Sequence, residues 1–267
     1  MNPLDNRRLA PKLKSFSAPA APTRIAPDAL STPGRACRSP APRLSLGMRE
    51  NTRTLTDRLA DPNTDNSLSA WARGRRWEEF ERRFPQVSEM SVLDLGGTSS
   101  YWASAPVRPG SLTLVNLFPQ EPPWPETSRA IVGSACERSP QLAGETFDLV
   151  VCNSVIGSVG GHEMRRRLAH VVEESGRHHW VQTPNRYFPV DPIFLFPYFP
   201  MLPYRARLAI SRHWPLGHRR GRTPEDVHAN VLTLEHLTAE QMGHYFPRSE
   251  IWRERIGGLT KSLVAVA

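Results

Sequence analysis

VLDLGGTSSYW, residues 92–102, decides the fold, because it reads as a buried strand running straight into a glycine turn. Val92, Leu93 and Leu95 are apolar, Asp94 sits near the strand's end, and Gly96-Gly97 follow at once. In a doubly wound α/β sheet such a turn lies at the carboxyl edge of the first strand, where nucleotide-like cofactors bind. Glycine suits the position because a side chain blocks the backbone's approach to a ligand. The plainer reading is a tight strand-to-helix connection with no ligand.

Downstream, LTLVNL (112–117) reads as a second strand ending at Asn116, and AIVGSA (130–135) as a third ending at Gly133-Ser134. FDLVVCN (147–153) is a nearly continuous apolar run, the pattern of a central parallel strand covered on both faces. A helix is expected from about His162, with Met164, Leu168, Val171 and Val172 at helical spacing. HHWVQTPN (178–185) supplies a fifth strand, and SEIWRER (249–255) with KSLVAVA (261–267), split by Gly257-Gly258, an antiparallel hairpin. Upstream, a helix from about Ser67 places Leu68, Trp71, Trp77, Phe80 and Phe84 near one face. Arg73, Arg75 and Arg76 interrupt it, either as a solvated face or because one of them meets a carboxylate of a cofactor or substrate. The expected class is α/β: a doubly wound, mostly parallel seven-stranded sheet ending in an antiparallel hairpin. Between residues 184 and 222, Pro184, Pro189, Pro192, Pro197, Pro200 and Pro203 exclude a regular helix or central strand. Six arginines (205, 207, 212, 219, 220, 222) follow before a polar helix around 235–245.

The chain has 267 residues and a net charge of +8, but the charge is uneven. Residues 1–47 hold eight basic residues against Asp5 and Asp28, so the tail carries +6 and the remaining 220 residues only +2. A nearly neutral folded part weighs against a nucleic-acid partner. The tail, rich in Pro, Ala, Ser and Arg, is expected to be disordered. An organelle transit peptide and translation beginning at Met48 are its other readings, and residues 48–267 form the folded domain. No run approaches the roughly 18 apolar residues of a membrane span. Cys37, Cys136 and Cys152 form no close pair and no metal-ligand spacing, which suits a reducing, cytoplasmic setting.

The glycine pattern separates two cofactor classes. A nicotinamide dinucleotide asks for G-x-G-x-x-G, whereas here Thr98, Ser99 and Ser100 follow Gly97. At this point the chain resembles the class I S-adenosylmethionine-dependent methyltransferases over roughly residues 68–267. VLDLGGT looks like their first motif, and AIVGSA and FDLVVCNSVI look like their later strand-end motifs. WVQTPNRYFPVDP and GGLTKSLVAVA further resemble bacterial members with a proline-rich insertion after strand five. The resemblance implies S-adenosyl-L-methionine as cofactor. Asp94, Gly96 and Gly97 match the turn that holds its methionine portion, and Asn116 stands where an acid usually binds the ribose. Ser134 and Ala135 stand where an Asp commonly reaches the adenine amine, and Asn153 and Ser154 lie beside the transferable methyl. Relatives often carry Glu-His where Gly157-Ser158 stand, and His where Ile193 stands.

For catalysis, His162 at the helix start and Asp191 in the Pro-Val-Asp-Pro segment are the candidate groups, with Arg186 and Tyr187 lining the same pocket. His178 and His179 are expected at the surface. Residues 184–222 serve either as a lid over an apolar acceptor site or as an element whose Phe194, Phe196, Tyr198 and Phe199 touch a membrane surface. The expected activity is methyl transfer to a small-molecule, glycan or lipid-like acceptor. A non-catalytic binding module of the same fold is the alternative, and a nucleic-acid methyltransferase comes third. Gly96→Val is expected to abolish cofactor binding in a folded chain.

Overall fold

The computed structural model describes residues 68–214 and 223–267, with side chains from residue 73 onward. The basic tail, Ser67, the side chains of Leu68 and Trp71, Cys37, and Arg219, Arg220 and Arg222 lie outside the described residues.

Helix α1 (Leu68–Arg83) precedes strand β1 (Ser91–Leu95), which leads through Gly96-Gly97 into the short helix α2 (Ser99–Ala103). Strands β2 (Ser111–Asn116), β3 (Ser128–Val132) and β4 (Phe147–Asn153) follow, then helix α3 (His162–Ser175) and strand β5 (Gly176–Pro184). Helices α4 (Tyr204–His213), α5 (Pro224–Thr233) and α6 (Ala239–Tyr245) lead to β6 (Glu250–Ile256) and β7 (Leu259–Val266). The sheet order is β3-β2-β1-β4-β5-β7-β6. Strands β1 to β5 pair in parallel, and β7 runs antiparallel between β5 and β6. The chain therefore winds outward from β1 through β2 to β3, then returns to β4 on the other side of β1. That reversal is the switch point beside which open α/β sheets bind ligands, and it is the expected class.

Alternate residues of each central strand feed two cores. Leu93, Leu95, Val150, Cys152 and Val181 pack with Leu168 and Val172 of α3 and Met242 of α6. Val92, Leu112, Leu149, Val151 and Trp180 pack on the other face with Trp77, Phe80 and Phe84 of α1, spaced as one apolar helix stripe. Phe80 meets Trp180 edge-on at 5.3 Å between ring centroids. Covered on both faces, the strands have no use for polar alternation.

The segment after β5 departs from expectation. Pro203 stands just before the first turn of α4, where a missing N–H costs nothing, so a regular helix does form within the segment. The segment also runs past residue 222 and closes a small core of its own: Phe194, Phe199, Val231 and Leu234. Phe194 and Phe199 stack with centroids 3.9 Å apart and are 2% and 3% exposed. Two of the four aromatics assigned to membrane contact are thus internal, and Phe196 packs partly against them, leaving Tyr198 exposed. His179 is likewise corrected: it is buried in β5, its Nε2 lies 2.7 Å from the Ser249 hydroxyl, and burial pulls its pKa down to about 4.

Candidate functional site

The carboxyl ends of β1, β2, β3 and β4 lie in register, which brings the turn residues together. Gly96 has φ +84°, and its N–H donates to the Val115 carbonyl of β2 at 2.6 Å. A Cβ there meets Val155 Cγ2 at 2.4 Å, and a Cβ on Gly97 meets the Asp94 carboxylate at 1.9 Å. Both positions are closed to side chains, so packing requires both glycines, and backbone conformation requires Gly96 as well. Thr98 caps α2 by accepting from the Tyr101 N–H.

Asp94 is 1% exposed, lies beneath the turn, and accepts from the Trp102 indole N–H at 2.7 Å. Its Oδ1 has no partner among the described residues. Burial raises its pKa to about 7, and the Trp102 hydrogen bond opposes this only in part.

Asn116 at the end of β2 clasps the turn. Its side-chain amide donates to the carbonyls of Gly96 at 3.2 Å and Gly97 at 2.8 Å, and its Oδ1 accepts from the Phe118 N–H at 3.0 Å. One Oδ1 lone pair is left for a ribose hydroxyl. Ser134 Oγ accepts from the Cys136 N–H at 3.1 Å, and Ala135 beside it is buried. Sequence reasoning missed the apolar side chains around these two. Leu117, Phe118 and Val132 are 68%, 71% and 61% exposed, and Val132 is paired with Asn116 across the β2–β3 register. Two consecutive apolar residues just past a strand-end Asn were the available signal.

On β4, Asn153 donates through Nδ2 to the Tyr101 hydroxyl at 3.2 Å, while its Oδ1 is buried without a partner among the described residues. Ser154 has φ +60°, and its hydroxyl donates to Gln182 Oε1 at 2.8 Å. Tyr101 stacks on Trp77 at 5.3 Å, and burial raises its hydroxyl pKa. Tyr101 was read only as part of the opening motif.

The two candidate catalytic groups are placed elsewhere. His162 is exposed at the start of α3, with Nδ1 3.0 Å from the Tyr245 hydroxyl and its ring against His244 and Tyr245 of α6. Asp191 is 2% exposed and internal to the segment after β5. Its Oδ1 accepts from the backbone N–H groups of Ile193 and Phe194 at 2.8 and 2.7 Å, and its Oδ2 lies 2.7 Å from His236 Nε2. Both oxygens are engaged, which is the arrangement of a structural carboxylate; the expected substrate contact gives way to that role. Arg186 and Tyr187 line a cavity of about 620 Å³ beyond β5, together with Asn185, Thr238 and Thr260 but without Asp191. A cavity of about 480 Å³ lined by Ser91, Ser111 and Arg129 lies at the strands' amino ends, the wrong edge for this site.

Gly157 explains one departure from the resembled family. The Glu235 N–H donates to its carbonyl at 2.8 Å, and a Cβ on Gly157 lies 2.9 Å from the Glu235 carbonyl oxygen. The returning segment thus occupies the space that a Glu needs here. Glu235 is held in turn by Arg165 at 2.7 Å and Arg186 at 3.4 Å.

No protein-family model matches the chain, and no curated protein matches it. Among solved structures, similarity is found to the Burkholderia thailandensis 1,6-didemethyltoxoflavin-N1-methyltransferase with bound 1,6-didemethyltoxoflavin and S-adenosylhomocysteine. Identity is 14% over 86% of this chain and 92% of that one, with a TM-score of 0.45. The N-methyltransferase NodS from Bradyrhizobium japonicum WM9, in complex with S-adenosylhomocysteine, shares 10% identity over 81% and 95% of the chains, with a TM-score of 0.46. A putative zinc-dependent alcohol dehydrogenase from Rhodobacter sphaeroides shares 10% over 71% and 87%, with a TM-score of 0.47. At these values the likeness concerns the fold alone.

Proposed function

We propose that the chain transfers a methyl group from S-adenosyl-L-methionine to a small-molecule, glycan or lipid-like acceptor. The observation that carries the reading is the side-chain-free turn Gly96-Gly97 at the switch point, pinned by Asn116 between β1 and β2. The donor set around it suits this cofactor. Leu117, Phe118 and Val132 offer an exposed apolar surface to a purine face, and Asn116 Oδ1 and the Ser134 hydroxyl offer hydrogen bonds to ribose and base. The two strand-end glycines, with no lysine or helix of length behind them, make no phosphate cradle.

S-adenosyl-L-methionine supplies, when bound, a sulfonium methyl already activated for direct displacement. The protein's task is alignment and exclusion of water, which contributes roughly 7–11 kcal/mol in well-oriented reactions. Asn153 Oδ1 and the Tyr101 hydroxyl, at the end of β4, orient the acceptor. The Tyr101 proton is held by burial, so this hydroxyl acts as a hydrogen-bond donor at neutral pH. Residues 185–214 and 223–238 serve as the lid, fixed by their own core and by Glu235, and the cavity beside Arg186 and Tyr187 admits the acceptor. Cys136 and Cys152 are free and buried, in keeping with a reducing compartment such as the cytoplasm. No helix among the described residues is long and apolar enough to cross a membrane.

A second reading, a non-catalytic binding module, is favoured by one observation: Asn116 and Ser134 already bond to the chain's own backbone. Calorimetry separates the two. Binding of S-adenosyl-L-methionine and S-adenosylhomocysteine at micromolar concentration is expected. Absence of heat with either compound at high micromolar concentration removes the enzyme reading.

A further inference from the structure

Helix α1 and the terminal hairpin bring three cations around one carboxylate. Arg76 pairs with Glu254 at 2.8 Å, the Glu254 side chain being 3% exposed and that of Arg76 16%. Arg73, one turn earlier on the same helix, is half-buried and makes no ion pair or hydrogen bond among the described residues. Lys261 at the start of β7 is half-buried and equally unpaired there. Its backbone is pinned, because its carbonyl accepts from the Asn185 N–H at 2.9 Å. Glu254 pairs with Ser262 across the β6–β7 register at a bulge, which brings the neighbouring Lys261 to the same end of the hairpin as the Arg76–Glu254 pair. In keeping with that placement, burial lowers the pKa of both Arg73 and Lys261, and repulsion from Arg76 lowers each further. The cluster also borders the edge proposed for methyl transfer: Trp77, next to Arg76 on α1, stacks on Tyr101 at 5.3 Å, and the Tyr101 hydroxyl accepts from Asn153. Arg76 Nε and Glu254 Oε1 are buried without partners among the described residues.

A surplus of positive charge partly withdrawn from water is costly unless an anion neutralises it. We propose that Arg73 and Lys261, backed by the Arg76–Glu254 pair, bind an anionic group, a carboxylate or phosphate, carried by the methyl acceptor. The word acceptor rests on the methyl-transfer reading; the anion site rests on the cluster alone. The competing source of the same chemistry is the carboxylate of the cofactor's methionine portion. Position argues for the acceptor: β7 is the third strand from β1, about 14 Å away at ordinary strand spacing. A guanidinium such as Arg73 also suits bidentate contact with either anion.

The test uses the full chain and calorimetry with phenyl phosphate and benzoate, with benzamide as the neutral control, each in the presence and absence of S-adenosylhomocysteine. Phenyl phosphate or benzoate is expected to bind at least tenfold tighter than benzamide. Lys261→Met and, as a second variant checked for folding by thermal melting, Arg73→Gln are expected to weaken that binding at least tenfold. Lys261→Arg is expected to restore it to within threefold, and S-adenosylhomocysteine affinity is expected to change less than twofold throughout. Anions that bind no better than benzamide overturn the proposal. So does a loss of S-adenosylhomocysteine affinity as large as the loss of anion affinity, which returns the cluster to the cofactor. Failure of the unmutated chain to bind S-adenosylhomocysteine is a separate result: it sinks the methyl-transfer reading, and the titration without that compound still decides for or against the anion site.

Discussion

Asp94 near the end of β1 and Asp191 in the segment after β5 are both buried aspartates beside a tight bend, and their surroundings are opposite. Asp191 has both oxygens engaged, by two backbone N–H groups and by His236. Asp94 has one partner, Trp102, and one oxygen with none among the described residues. The difference separates a carboxylate that builds a loop from one that underlies a ligand-facing turn. Buried polar atoms without partners are rare and expensive, and around β1 and β4 two of them, on Asp94 and Asn153, sit within the same strand-end region.

The strongest way to break the turn is Gly96→Val. A β-branched residue at φ +84° costs about 1–2 kcal/mol, and the 2.4 Å approach to Val155 adds about 1–3 kcal/mol of overpacking. Urea denaturation is expected to show a total loss of about 3–4 kcal/mol, so this variant does not remove cofactor binding while leaving stability intact. Gly96→Ala combined with Val155→Ala, which frees the space and leaves the backbone cost, is expected to recover about half. An unchanged denaturation midpoint for Gly96→Val contradicts the turn geometry.

Asp191→Ala attacks the other region. It orphans two backbone donors and the buried His236, a combination worth about 3 kcal/mol when one partner of a buried pair is removed. The loss is expected to appear as cleavage within residues 186–214 by a trace protease at least ten times faster than in the unmutated chain. Affinity for S-adenosylhomocysteine should move less than twofold. A folded, protease-resistant variant with that affinity abolished makes Asp191 a site residue after all.

Asp94→Asn sharpens the comparison through pH. The folded chain holds the Asp94 proton up to about pH 7, against 3.8 for the free group. Its contribution is therefore complete below pH 3.8 and is lost as the pH rises through 7, a cost of up to about 4 kcal/mol at roughly 1.4 kcal/mol per pH unit. The amide still accepts from Trp102 but buries an unpaired N–H, which costs about 1–3 kcal/mol at every pH. Because that amide cost is the same at every pH, the variant is expected to gain about 2–3 kcal/mol on the unmutated chain between pH 5 and pH 8 in chemical denaturation. His179 tilts the other way: its pKa of about 4 lies below the ordinary 6.5, so its contribution is present above 6.5 and lost as pH falls through 4. A difference between variant and parent that is the same at both pH values removes the buried-acid assignment.

The parallel strands were legible because burial on both faces leaves them as unbroken apolar runs. Strand β3 was not located as well: it spans Ser128–Val132, with Ser128 and Arg129 set by pairing to Leu112 and Thr113, which no local pattern reveals. Helix α5 was missed although Thr223-Pro224-Glu225-Asp226 is a capping box with proline in the first turn. At the site, the glycine turn was legible because it is local. The partners of Asn116, Ser134 and Asp191 were not, since they depend on which strand ends meet in space. The Arg76–Glu254 pair joins residues 178 apart in sequence, beyond the reach of any motif.

The smallest and most discriminating change is Asn116→Asp, which restores the acid that the resembled family usually has. If Asn116 were merely a weakened ribose ligand, the substitution would tighten cofactor binding. The geometry argues the reverse. Both donors of its amide are spent on the carbonyls of Gly96 and Gly97, and a carboxylate turns those two attractive contacts into repulsions between oxygens. The contact to the Phe118 N–H survives, which limits the damage. A net loss of about 1 kcal/mol, typical of a removed hydrogen bond, is expected in the denaturation midpoint. Affinity for S-adenosylhomocysteine is expected to fall severalfold as the turn loosens. Tighter binding with unchanged stability shows instead that the turn holds its shape without Asn116, and that residue 116 meets the ligand directly.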